Sequence, residues 1–510
     1  MAQVNGAMAP APDRTSHWAS ATAILTYMAL ATVLLHAIVG NRYGFHMDEL
    51  ATLDDAKRLA WGYPAYPPVT PFFGRISLIL FGTSLIGFRF FASLAHGVTV
   101  LLAGLVAREM GGRRAAQLLA GAACLPFVIG GGALMQYVSF DYFSWVLTAY
   151  CLVRLLASGN PRWWLAVGAS IGFGALAKYT IAFFVAGIVV GVLATDTRRY
   201  LRSKWLWIGI AVATLMLLPN LFWEAQNHFV TLDLLKFIHA RDVARGRMAS
   251  FLHDQLTGTF LPLVLAGLGF YFFSRQGKPF RMVGWMYIVT LGLFIVAKGK
   301  TYYICPAYPM VWAGGSVWLE GWLAATERQR AVTIWGIAWA MIAYGVIFTS
   351  VYYLPIAPVN VDSHWWQKAS ALQETYIGEI GWPELAKETA RIRDLLSAEQ
   401  RAHLGILAGG YGQTGAIDLF GAQYGLPRAI SGIDSYWQQG YGDPPPQALI
   451  VMGLKRHLAD ESFEACTVAG HIWNRYGVKT PDMAWNPEIY VCGPPRQGWP
   501  TFWKHFRYFG

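Results

Sequence analysis

Apolar runs close to the length of a bilayer crossing recur along this chain, separated by short loops in which basic residues collect. "ATAILTYMALATVLLHAIVG", "WIGIAVATLMLLPNLFW", "VGWMYIVTLGLFIVA" and "AVTIWGIAWAMIAYGVIFTSVYYL" are the plainest examples. Each approaches the ~20 residues with which a helix crosses a ~30 Å hydrocarbon core. The pattern predicts about eleven spans, beginning near Ala19, Leu85, Ala115, Ser139, Leu165, Tyr179, Trp205, Gln255, Val283, Tyr303 and Ala331. The first run is longer than the roughly 7–15 apolar residues of a signal peptide and reads as a retained anchor. An odd number of spans puts the N-terminus in the cytoplasm and the C-terminus outside.

Between the spans the periodicity changes. Residues 41–84 form a first outer loop with a helical pattern in "DELATLDDAKRLAWG". Leu50, Leu53, Leu59 and Trp61 fall on one side of it, with Asp54, Asp55, Lys57 and Arg58 on the other. That spacing predicts a helix lying in the membrane interface. The prolines of "YPAYPPVTP" then turn the chain into a second interfacial helix over "FFGRISLILFG". After the last run, residues 355–510 read as a soluble α/β domain. Strands are predicted at "LGILAGGYG", "QALIVMG" and "EIYVCG", and a helix at "WPELAKETARIRDLLSAEQ". The chain thus divides into a membrane part, 1–354, and this tail. Cys466 and Cys492 both fall in the tail, where a bridge or two buried thiols are equally open readings.

Composition excludes an ordinary soluble protein. Of the 510 residues 55% are hydrophobic and 14% charged, against roughly 25% charged in soluble domains. The net charge of +11 is mostly topological. Arg108, Arg113 and Arg114, then Arg198, Arg199, Arg202 and Lys204, then Arg275, Lys278 and Arg281, then Arg328 and Arg330, all fall in loops that the positive-inside bias places in the cytoplasm. No basic-aromatic pattern points to nucleic acid.

The remaining charges are candidates for chemistry. "GFHMDEL" sets Asp48 and Glu49 at the outer exit of the first span. Asp141 stands at the edge of an apolar run, where a carboxylate is costly and by default functional. Lys178, Lys298 and Lys300 lie outside, against the bias, with Lys236, Arg241, Arg245 and Arg247 in a neighbouring outer loop. Snorkelling accounts for any one of them; together they suit an anionic headgroup, phosphate first. Carboxylate beside cations at the outer face suggests lipid-phosphate chemistry. His36 and His46 lie near Asp48 with no firm metal-ligand spacing.

"FHMDEL", "LAWGYPAYPPVTPFFGRIS", "LMQYVSFDYFSWVLTAYCLVRLL", "GFGALAKYTIAFF", "LPNLFWEAQNHFVTLDLL" and "GKTYYICPAYPM" follow one another over about the first 320 residues. In order and spacing they resemble the protein O-mannosyltransferase/aminoarabinose transferase family of bacterial GT-C glycosyltransferases, glycosyltransferase family 39. The resemblance implies a polytopic helical GT-C fold in the bacterial inner membrane, with the tail as a periplasmic α/β accessory domain. It implies transfer of a sugar, with inversion, from a polyprenyl-phosphate donor to a hydroxyl on a lipid, glycan or protein. By the same resemblance Asp48, with Glu49 beside it, and Asp141 match acidic catalytic positions, and Lys178, Lys300 and Tyr302 a donor-phosphate site. Tyr66 stands before Pro67 and Pro68 where several relatives carry a basic residue, so Arg75 or Lys300 is expected to supply that contact. The rival readings are a lipid or sugar transporter, which wants paired halves with midplane charges, and a noncatalytic glycolipid-binding subunit.

Overall fold

A computed structural model describes residues 20–132, 134–244 and 260–510, with 246, 251, 253 and 255. Arg245, Arg247 and the first residue of the expected first span, Ala19, lie outside the described residues. The chain opens with α1 (Ala21–Val39), whose N-cap Ser20 accepts a hydrogen bond from the Ala23 N–H. The first outer segment carries α2 (Met47–Lys57) and α3 (Val69–Phe81). There follow α4 (Leu85–Glu109), α5 (Arg114–Ala123) continued by α6 (Leu125–Gly131), α7 (Tyr137–Ser158), α8 (Trp163–Ala177), α9 (Ile181–Ala194) and α10 (Lys204–Gln226). After α11 (Val230–Ala244) come α12 (Phe260–Arg275), α13 (Arg281–Val296), α14 (Tyr308–Ala324) and α15 (Arg328–Tyr353).

Each expected span thus has a helix. Among the described residues seven candidates, counting α5 and α6 as one, are long and apolar enough to cross a membrane, and α9 with the bent turn after it makes eight. α8, α12 and α14, at 15, 16 and 17 residues, fall short of the ~20 of a perpendicular crossing. Small residues let these helices close on one another where lipid offers no hydrophobic drive. A Cβ on Gly168 of α8 would stand 2.0 Å from the Gly209 carbonyl oxygen of α10, so the two backbones touch. The outward faces stay apolar, with Leu30, Leu34 and Ile38 on α1 and Val332, Tyr344 and Ile347 on α15 exposed.

The tail holds a five-stranded sheet in the order β2–β1–β3–β5–β4. Its strands are β1 (Leu404–Ala408), β2 (Ala429–Ile430), β3 (Ala448–Met452), β4 (Thr467–His471) and β5 (Glu488–Cys492). β2, β1 and β3 run parallel, and β3, β5 and β4 antiparallel. β1, β3 and β5 are the three expected strands. β2 is two residues long, and β4 is mostly exposed, so neither carries the apolar run that marks a strand. Cys466 and Cys492 form a disulfide beside β4 and β5.

One expectation is corrected by how the tail docks. The helix Tyr411–Phe420 packs along α2, and its glycines make the approach possible. A Cβ on Gly415 would stand 2.8 Å from the Leu50 Cβ, and one on Gly412 equally close to Met47. α2 is therefore covered on both sides and is not an interfacial helix. It ends at Lys57, leaving Leu59 and Trp61 exposed beyond it. Asp54 and Asp55, expected on a solvated face, are 2% and 4% exposed. α3 does keep an apolar outer face, with Phe72, Ile79 and Leu80 exposed.

A buried guanidinium ties these parts together. Arg89 of α4 donates to both Glu49 oxygens, at 2.8 and 2.5 Å, and to Glu379 of the tail at 3.2 Å. It also donates to the carbonyls of Gly40, at the end of α1, and of Gly44. Glu49 in turn accepts from the His46 N–H, closing a capping box on α2, and from the Met135 N–H before α7. Removing one member of such a pair leaves an uncompensated buried charge, at a cost of about 3–5 kcal/mol. Arg89→Met is thus expected to lower the unfolding free energy by about that much, read by denaturant or thermal unfolding in detergent; wild-type stability would refute the role. A second expectation concerns Asp55. Burial, opposed by hydrogen bonds from Tyr66 and Ser435, pushes its carboxyl up from 3.8 to about 7. The folded protein then holds this proton to higher pH than the unfolded chain. Its contribution is full below 3.8 and is lost as pH rises to about 7. Asp55→Asn should flatten the decline in stability across that window, and an unchanged pH–Tm curve would refute the assignment.

Candidate functional site

Above α4 and α7, under the docked tail, lies a cavity of about 1700 Å³. Its polar end is walled by Asp48, Thr52 and Asp55 of α2, Gln136 and Tyr137, Arg241 of α11, Lys300 and Tyr302, and is roofed by Tyr411, Asp434 and Ser435 of the tail. Its other end runs between Pro126, Phe127 and Ile129 around α6 and Ile337, Met341, Tyr344 and Phe348 of α15. The side chains named along that arm are mostly apolar, as suits a hydrocarbon chain.

Asp48 follows the N-cap His46, whose Nδ1 accepts from the Asp48 N–H at 3.2 Å. Its side chain is 37% exposed, faces the cavity, and accepts from Gln136 at 2.8 Å and from the Tyr411 hydroxyl at 2.9 Å. Two donors hold the carboxylate while leaving it lone pairs. It is placed to receive a proton. Glu49, next in sequence, is 0% exposed and spent on Arg89, so the structure keeps it away from the cavity.

Lys300 and Arg241 line the same cavity as Asp48. Lys300 Nζ lies 3.0 Å from Asp242, and Arg241 Nε 3.4 Å from the same carboxylate. Burial works against the Asp242 charge, yet Lys300 and Arg241 hold its carboxyl below the usual range. Two cations around one carboxylate leave a net positive charge at the cavity wall. Tyr302 stands beside them, packed edge-on against Tyr303 with centroids 4.9 Å apart.

Lys178 does not line the cavity. It lies behind tyrosines that do, 5.2 and 5.4 Å from the ring centres of Tyr137 and Tyr302, and 4.2 Å from Tyr303. Asp141 is 3.9 Å from Lys178 and accepts from Trp145 at 2.8 Å and Thr180 at 3.0 Å. The pair supports the tyrosine wall from within the helices. Arg75 is exposed on α3 and away from the cavity. Tyr66 is buried and donates to Asp55 at 2.7 Å, so its position is a hydroxyl clamp on α2. Among the described residues no group of three His, Cys, Asp or Glu is disposed to hold a metal. His46 is used as the cap of α2 and His36 reaches the Val128 carbonyl.

Several residues of this site escape the sequence reading. Thr52 and Asp55 stand four and seven residues after Asp48, which the sequence does single out, and extend it into a polar stripe on one helical face of "DELATLDD". Arg89 was visible as an arginine inside an apolar run. Tyr411 and Asp434 carry no local signal, because only docking of the tail brings them over α2.

The chain resembles known proteins in sequence and in fold. A family model described as dolichyl-phosphate-mannose-protein mannosyltransferase matches residues 65–223. The chain is 28% identical over 189 residues to the lipopolysaccharide core galacturonosyltransferase RgtB of Rhizobium johnstonii, covering 36% of this chain and 38% of that one. It is 26% identical over 330 residues to undecaprenyl phosphate-alpha-4-amino-4-deoxy-L-arabinose arabinosyl transferase 1 of Pseudomonas fluorescens, covering 60% and 58%. Both matches span less than two thirds of the relative's length. ArnT from Cupriavidus metallidurans in the apo state shares the fold, with a TM-score of 0.57 at 14% identity over 92% of this chain and 97% of that one. By fold and by these sequence likenesses, the chain is similar to membrane glycosyltransferases of the family 39 type.

Proposed function

We propose that the protein moves a sugar, with inversion, from a polyprenyl-phosphate donor to a hydroxyl of a lipid, glycan or protein at the outer face of the membrane. The observation that carries this reading is the cavity itself. One accessible carboxylate, Asp48, faces the cations Lys300 and Arg241 at the polar end of an arm lined for hydrocarbon. In this reading the acceptor oxygen attacks the anomeric carbon while Asp48 takes its proton. The bond from that carbon to the phosphate oxygen breaks, and Lys300, Arg241 and Tyr302 receive the charge that develops on the phosphate. Phosphate leaves as an anion, so no general acid is required. The second relative's name specifies an undecaprenyl-phosphate sugar, and the family description a dolichyl-phosphate one; both accord with a polyprenyl donor here. Lys178 and Asp141 act as supports of the tyrosine wall, and Glu49 as a scaffold carboxylate.

The same reading divides the chain at residue 354 and makes all eleven helices spans, with α8, α12 and α14 crossing a locally thinned or indented part of the bilayer. The protein lies in the bacterial inner membrane, N-terminus in the cytoplasm. The tail shares the side of Asp48, since Tyr411 touches it, and the basic loops and the Cys466–Cys492 bridge favour the periplasm for that side.

Two substitutions separate the roles. Asp48→Asn should lower transfer by about 10²- to 10⁴-fold while polyprenyl-phosphate binding stays near wild type. Lys300→Met should do the opposite first, weakening polyprenyl-phosphate binding about ten- to a hundredfold, as fits a charge-assisted contact of roughly 1.5–3 kcal/mol. Near-normal turnover by the Asn variant would remove Asp48 from the mechanism. For topology, a reporter active only in the periplasm and fused after Gly510 should work; activity from a cytoplasm-only reporter at that point would overturn the orientation.

A further inference from the structure

Where the tail roofs the cavity, three consecutive residues, Asp434, Ser435 and Tyr436, belong to its wall. Asp434 has a φ of 46°, a left-handed conformation that is uncommon outside glycine. Its Oδ1 is buried and has no hydrogen-bond partner among the described residues. The Tyr436 hydroxyl is likewise unpaired among them, on a residue 2% exposed. Ser435, between the two, bonds to Asp55 of α2, which lines the same wall. The charges acting on Asp434 come from the site itself. Asp48 opposes its ionisation, while Arg241 and a hydrogen bond from the Gly510 backbone favour it.

Buried polar atoms without partners are costly, and each asks for a ligand or a water to satisfy it. The donor proposed above meets Lys300 and Arg241 with its phosphate and the apolar arm with its chain, which leaves the sugar for the roof. A carboxylate only accepts, and a phenol hydroxyl donates or accepts; hydroxyl and ammonium groups of a sugar supply the missing donors. A carboxylate on the sugar would instead meet Asp434 and Asp48, like charges in a site shielded from water. Likeness to known proteins does not choose between these cases. One relative is named for a galacturonosyl group and another for an amino-deoxy-arabinose.

We propose that Asp434, with Tyr436, recognises the donor's sugar by accepting hydrogen bonds from its hydroxyl or ammonium groups, and that it excludes sugars bearing a carboxylate. This specificity rests on the glycosyltransferase reading, since it takes the sugar to arrive on a polyprenyl phosphate. The tail then selects the sugar, while the membrane part holds the phosphate and the lipid.

The test is binding to the full chain in nanodiscs, read by native mass spectrometry. It is run at pH 8, above the value of about 7 to which burial, first, and the Asp48 charge raise the Asp434 carboxyl. The probes are bare polyprenyl phosphate and three polyprenyl-phosphate sugars that differ only at C6: galactose, 6-amino-6-deoxygalactose and galacturonic acid. The wild type should hold the first two at least about tenfold more tightly than the uronic donor. The tighter of those two tells whether a hydroxyl or an ammonium is the preferred group. Asp434→Asn keeps the shape and tolerates the left-handed φ, and it should narrow the discrimination to within about threefold. Bare polyprenyl phosphate should bind this variant at least as tightly as the wild type. Tyr436→Phe should weaken all three sugar donors by about two- to tenfold relative to the bare phosphate, as fits one neutral hydrogen bond; unchanged ratios would remove that hydroxyl from the subsite. Equal binding of the uronic donor and the other two by the wild type overturns the proposal. Discrimination that survives Asp434→Asn overturns it as well. In either case tight binding of bare polyprenyl phosphate leaves the donor reading standing, whereas failure of the bare phosphate to bind brings down that reading and this inference together.

Discussion

A guanidinium buried among helices must find an acceptor for each of its donors, and Arg89 finds them on three separate parts of the chain. The end of α1 gives carbonyls, the start of α2 gives Glu49, and the tail gives Glu379. None of these partners can shift without leaving charge unpaired in a low-dielectric interior. Glu49 also closes the capping box that begins α2. The cation thereby fixes where that helix starts and which way its first turn points, and Asp48 sits in that turn. The orientation of the Asp48 carboxylate follows from the burial of its neighbour.

Adjacent residues on a helix point about 100° apart, and α2 uses that twice. Glu49 turns to Arg89 while Asp48 turns to the cavity. Six residues on, Asp54 pairs with Arg58 at 2.6 Å and approaches Arg428 of the tail at 3.6 Å, while Asp55 faces the cavity under the Tyr66 hydroxyl. Each doublet contains one scaffold carboxylate and one cavity carboxylate. The scaffold members bind what holds the helix down; of the cavity members the Asp48 side chain is 37% exposed, while Asp55 is held by Tyr66.

This division explains what the sequence could and could not disclose. Runs such as "ATAILTYMALATVLLHAIVG" announce helices because lipid leaves no other way to satisfy a backbone, and every expected span has its helix. The strands at "QALIVMG" and "EIYVCG" were equally plain, being buried on both faces. Asp48 and Glu49, by contrast, are chemically alike at that level, and only the partner forty residues away in α4 tells them apart. Periodicity likewise marked α2 as two-faced but not what covers its polar face, so burial of Asp54 against Arg428 and Gln439, and of Asp55 against Tyr66 and Ser435, was out of reach. Nor could it show that Lys178 and Arg75 lie off the cavity wall. A cation in an outer segment reads identically whether it points into a cavity, behind a tyrosine or towards lipid.

The placement of charge in the cavity follows from the solvent on either side of it. A phosphate with a hydrocarbon chain must straddle the membrane boundary, with its charge where water or protein dipoles can stabilise it and its chain in the apolar arm. Cations placed deeper would have to be desolvated at several kcal/mol each; cations placed higher would be screened. Lys300 and Arg241 avoid both by sharing Asp242, which keeps them partly neutralised while no phosphate is present. The tail then has a physical reason to cover α2. By lowering the local dielectric around Asp48, it would strengthen the electrostatic interactions that the proposed departure of a phosphate requires. Tyr411 makes that cover part of the site, since the same helix that shields α2 donates a hydrogen bond to Asp48.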